Sequence, residues 1–93
     1  MFKCLLSLTL KYDDSELDLE RTVELPFPPY PGLFVESVAE AALDPQIETV
    51  FWIEEEASFR VVCHPLTVAG DREEAIRLAR REGWGDVVET ATR

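Results

Sequence analysis

Ninety-three residues, 46% of them apolar and 10% aromatic, suffice for one folded domain over residues 1–93 and are too apolar for a disordered chain. The net charge of −10 arises wholly in residues 1–56, where thirteen acids stand against three bases; residues 57–93 balance six Arg with six acids. That field argues against nucleic acid and anionic membrane as partners, and no apolar run nears the roughly 20 residues of a membrane-spanning helix.

The N-terminal stretch MFKCLLSLTLKYDD has a lysine followed by apolar residues, as a signal peptide does. It alternates, however, and acids follow at once with no small-residue cleavage site. It therefore reads as a strand and the chain as cytoplasmic. Phe2, Cys4, Leu6, Leu8, Leu10 and Tyr12 form its inward row. Residues 17–25 alternate likewise, with Leu17, Leu19, Val23 and Leu25 inward, acids and Thr22 outward, and Arg21 as the inward anomaly. Asp13–Glu16 is turn chemistry, so the two strands form a hairpin. Setting Tyr12 against Leu17 places Leu10 by Leu19, Leu6 by Val23 and Cys4 by Leu25. A one-residue slip would put Leu against an acid.

PFPPYPG follows at residues 26–32. Four prolines end the second strand and hold the chain extended. Docking peptides of similar composition need features that are absent here: Tyr30 follows Pro29 directly, and no Arg or Lys flanks the segment. It reads as a stiff connection, with Phe27 and Tyr30 over the end of the core. Residues 33–43 then carry Phe34, Val38 and Ala41/Ala42 at helical spacing, which predicts a first helix ended by Asp44-Pro45.

Residues 46–54 predict a strand with Ile47, Thr49, Phe51 and Ile53 on one face and Glu48, Val50, Trp52 and Glu54 on the other. Residues 58–64 pair back, with Phe59, Val61 and Cys63 inward and Ser58, Arg60, Val62 and His64 outward; Pro65 stops them. Asp71 caps a second helix that runs to about Glu82, and Gly83 turns Trp84 back onto it. Val87–Ala91 makes a short last strand.

The order β-β-α-β-β-α(-β) predicts an α+β two-layer sandwich, a ferredoxin-like variant. A mainly antiparallel four-stranded sheet, in the order 1-2-4-3, carries two helices on one face. The C-terminal segment would extend an edge, swap to a partner or stay loose.

Little of this points to chemistry. Acids at alternate positions in Asp14–Asp18 mimic a calcium loop, but Leu19 and Leu25 occupy positions that need Gly and Glu. Cys63 and His64 are strand neighbours and point to opposite faces, so they cannot form a dyad. Cys4, Cys63 and His64 are too few for a four-ligand zinc site, and no cofactor motif is present. The open sheet face is the most informative surface. Leu5, Val50, Trp52, Arg60, Val62 and His64 are its candidate interface residues, since clustered exposed apolar groups mark contacts. Three functions are expected in descending order: a non-enzymatic interaction module that homodimerises through this face, an acidic inhibitor or antitoxin-like protein that covers a basic partner, and a small ligand-binding or enzymatic domain.

Overall fold

The computed structural model describes residues 1–13, 15–36 and 42–91, with residues 86–91 described by backbone alone. It is an α+β domain built on a mixed sheet. The strands are β1 (Phe2–Tyr12), β2 (Ser15–Leu25), β3 (Ile47–Ile53), β4 (Ser58–Cys63), the two-residue β5 (Leu66–Thr67) and β6 (Gly85–Ala91), with one helix, α1 (Arg72–Arg81), among the described residues. The spatial order is β3-β4-β1-β2-β6, and β5 pairs with β1 in continuation of β4.

The hairpin of β1 and β2 keeps the expected faces, but its register is two residues tighter. Tyr12 opposes Ser15, Leu10 opposes Leu17 and Cys4 opposes Val23. Ser15 and Glu16 join the ladder, and the turn shrinks to two residues with Asp13 at φ 45°. Two-residue hairpin loops need such positive φ, and Asp tolerates it. A shift of two preserves which side chains point inward, so the buried row survives.

The expected order 1-2-4-3 is corrected. β1 lies at the centre, antiparallel to β2 and parallel to β4, and β6 takes the edge beside β2. β2 and β4 run in opposite directions, so a strand between them must be parallel to one of them. That is why the sheet is mixed. Residues 2–12 suit the centre because they contain no acid. Cys4, Leu6, Leu8, Leu10 and Tyr12 are between 0 and 4% exposed, and Leu5 adds apolar surface on the reverse face. β2 carries acids at positions 16, 18, 20 and 24 of its outward row and suits a place nearer the border. Pro65 lacks the N–H needed to continue β4 into β5, although Val68 N–H still donates to the Lys11 carbonyl at 2.9 Å.

The second correction concerns residues 33–43. Leu33–Glu36 are extended, not helical, and residues 37–41 of the expected first helix lie outside the described residues. Gly32 N–H donates to the Ile47 carbonyl and Ile47 N–H to the Leu33 carbonyl, each at 2.8 Å, while Val35 N–H donates to the Pro45 carbonyl at 2.9 Å. The chain therefore crosses from β2 to the outer side of β3. That is four strand spacings, about 19 Å across the sheet, and the segment is not extended throughout as expected: Leu33 N–H donates to the Tyr30 carbonyl at 3.2 Å, and Gly32, at φ 97°, turns the chain onto the β3 edge. Pro29, Val35, Leu43 and Pro45 are buried on this path, and Phe27 and Tyr30 stack at 6.2 Å on the outside.

α1 covers the other part of the same sheet face. Asp71 accepts from Glu74 N–H at 3.0 Å, and Ala75 and Ala79 are buried against the sheet. Gly83 has φ 88°; its N–H donates to the Arg80 carbonyl and Trp84 N–H to the Ala79 carbonyl, a Schellman stop. Trp84 is 3% exposed within the core. Glu82, 1% exposed, accepts from Ala42 N–H at 2.8 Å and Leu43 N–H at 2.9 Å, and so ties the helix end to the crossing segment.

Candidate interaction surface along the third strand

β3 is an edge strand with a bulge. Ile47 opposes Cys63, but the register shifts before Thr49, so Thr49 opposes Val62, Val50 opposes Val61, Phe51 opposes Arg60 and Trp52 opposes Phe59. Residues directly opposite each other share a face, so the extra residue turns the rest of β3 over. Val50 and Trp52 therefore lie on the helix side of the sheet, not on the open face as expected. Val50 packs against the core, and Trp52 meets the Phe59 ring edge-on at 5.0 Å. Phe2 completes the group at 6.0 Å from Phe59. Trp52 is nonetheless 55% exposed.

The other expected site residues remain on the open face. Leu5 is half-buried beside Arg60 in the parallel ladder, and Val62 is exposed beside Ser7. Arg60 is exposed, with Nη2 3.6 Å from Glu56. His64 follows the end of β4, its Nδ1 3.1 Å from the Glu48 carboxylate. Phe51 and Ile53 take the places assigned to Val50 and Trp52, and Phe51 is 51% exposed. Leu5, Phe51, Arg60 and Val62 thus belong together, while Val50 and Trp52 group with Phe59. The run VFWI at residues 50–53 carried the warning: four consecutive apolar residues do not say which parity faces the core.

Charge surrounds the border of β3. Glu48, Glu54, Glu55 and Glu56 are exposed at its two ends, and Asp18, Glu20 and Glu24 are exposed on the outer row of β2. The bases gather elsewhere, with Arg72, Arg77, Arg80 and Arg81 exposed on α1. Two open hollows flank that helix and share Arg77, but the polar groups that line them are all exposed. Arg21 lies over Gly83, and its buried Nη1 has no hydrogen-bond partner; burial lowers its pKa.

The thiols are poor nucleophiles. Burial raises the Cys4 pKa and pushes Cys63 up to about 11, so both are protonated at neutral pH. Cys63 is buried and His64 exposed. Among the described residues no group of three or more His, Cys, Asp or Glu could hold a metal ion, and no helix is long and apolar enough to cross a membrane. Glu82 was missed in the sequence. Its signal was an acid directly after Arg80-Arg81 in the last helical turn, where the helix dipole favours a base. Comparison with family models, with curated proteins and with solved structures yields no match for this chain.

Proposed function

We propose that the chain is a non-enzymatic protein-interaction module whose contact surface runs along β3 and the adjoining open face. One observation carries this reading: Phe51 and Trp52, successive residues of an edge strand, are each more than half exposed on opposite sides of the sheet. Edge strands are ordinarily blunted by charge, proline or a cover, and exposed aromatic residues are the type enriched at interfaces. Leu5 and Val62 lie on the same open face, with Arg60 between Leu5 and Phe51 and His64 at the margin. A photo-crosslinking amino acid placed at position 51 in host cells tests it, with position 24 on the far side of the open face as the control. Adducts from position 51 alone are expected; none, or the same set from both positions, overturns the reading.

A second reading is favoured by the acidic row of Asp18, Glu20 and Glu24 on β2. It makes the chain an inhibitor or antitoxin-like cover for a basic protein. Its adducts would arise from position 24 and disappear at high salt, because exposed charges are screened over about 8–10 Å at physiological ionic strength.

A further inference from the structure

The two faces of β3 carry apolar groups, and the edge between them is the place where backbone can still bond. Among the described residues, the crossing segment hydrogen-bonds the start of that edge, through Gly32, Leu33 and Val35 against Pro45–Ile47. Beyond the bulge, among the described residues, no backbone hydrogen bond reaches Thr49–Ile53 from outside the β3–β4 ladder. Val50 and Trp52 flank this open stretch on one face and Phe51 and Ile53 on the other. Glu48 closes it at one end, and Glu54 and Glu55 at the other.

We propose, resting on the interaction-module reading, that β3 accepts one extended strand from a partner protein, and that this strand alternates apolar residues between Lys or Arg at its ends. Main-chain bonds along an edge give affinity, and pockets for alternate side chains give selectivity. The incoming strand continues the line that residues 32–35 begin. Its side chains meet Trp52 and Val50 on one face, and Phe51 and Ile53 on the other. Its basic ends meet the acids that bracket β3.

A second copy fits this edge less well. Two β3 strands related by a two-fold axis at Phe51 would set Glu48 of each directly against Glu54 of the other. Like charges directly opposite across a ladder are destabilising, and each copy brings a net charge of −10. Moving the axis by one residue brings Glu48 against Trp52 instead. A foreign strand with basic ends turns the same carboxylates into attraction.

The test is selection of random twelve-residue peptides, displayed on phage, against the full chain, followed by amide hydrogen exchange and sedimentation. Enriched peptides are expected to alternate apolar residues and to carry Lys or Arg near their ends. Their affinity should fall about ten-fold or more on Phe51→Glu, a hot-spot-sized loss. Exchange should slow within residues 49–53 and stay unchanged in β2. Peptides without alternation, binding that leaves exchange in β3 unchanged, or no enrichment over the Phe51→Glu chain would each overturn strand addition. If crosslinks still form from position 51 in host cells, that failure leaves the interaction reading standing. A dimer in sedimentation, with residues 49–53 protected before any peptide is added, overturns the choice of partner and gives the edge to a second copy.

Discussion

The two tryptophans sit on the same side of one sheet and differ in almost everything else. Trp84 is 3% exposed, clamped by the turn at Gly83, while Trp52 is 55% exposed against a single ring. The difference lies in the covering layer, not in the residue. Leu8, Leu10, Leu17 and Leu19 are buried in the core beneath that layer, whereas at the corner formed by Phe2, Phe59 and Trp52 the Phe2 and Trp52 rings stay exposed. A large apolar side chain is thus a foundation at one end of the face and a free contact at the other.

The sharpest way to break that comparison is at the buried end. Trp84→Ala should cost about 3–5 kcal/mol in denaturant melts, the usual loss for a core aromatic. Glu82→Ala should follow at about 2–3 kcal/mol, because it strands the Ala42 and Leu43 N–H groups that now bond a carboxylate. Glu82→Gln, which keeps one acceptor oxygen, should lose less. Gly83→Val should cost more than about 1 kcal/mol, since a β-branched residue is forced to positive φ. Its Cβ would also lie 3.2 Å from Arg21 Nε. Trp52→Ala should change the melt by only about 1 kcal/mol, the scale of one edge-on aromatic pair. If its cost matches that of Trp84→Ala, the contrast between the two ends is wrong. Acrylamide quenching sharpens the point: fluorescence that Trp52→Phe removes should be the readily quenched part.

The smallest effect at neutral pH belongs to Cys63. Burial pushes its thiol up to about 11 in the folded chain, from 9.0 without burial. Below pH 9 both states hold the proton, and Cys63 leaves stability unchanged. From pH 9 to about 11 the unfolded state loses its proton first, so stability falls as pH rises. Cys63→Ala should flatten that part of the wild-type decline, and melts at pH 8 and 10.5 would measure it.

Much of this was legible in the chain, and the errors have physical sources. Alternation identified the hairpin and both later strands, a short last strand was expected without a place in the sheet, and Asp71, Gly83 and Trp84 were read with their roles. Alternation fixes faces but not neighbours, so it could not tell Tyr12 against Leu17 from Tyr12 against Ser15. It also could not place β1 at the centre; the absence of any acid in residues 2–12 held that information. The helical spacing of Phe34 and Val38 misled at Leu33–Glu36 because the free edge of β3 offered those residues a ladder instead. The candidate residues part company in placement for one reason. The strip of Leu5, Arg60 and Val62 follows from strands without irregularity, whereas one inserted residue between Ile47 and Thr49 inverted Val50 and Trp52.

The central place of β1 also governs how the chain comes together. Its hairpin with β2 closes through a two-residue turn and can form early, on the microsecond scale of hairpins. The other side of β1 waits for Phe59–Val62, more than half the chain away, and in synthesis at about 5–20 residues per second it stays bare for seconds. During that interval the central strand, with five side chains destined for the core, presents an unfilled seam to the cell. β4 is therefore the late closure of folding, and any stop in translation before it leaves a nascent chain primed for chaperones or aggregation.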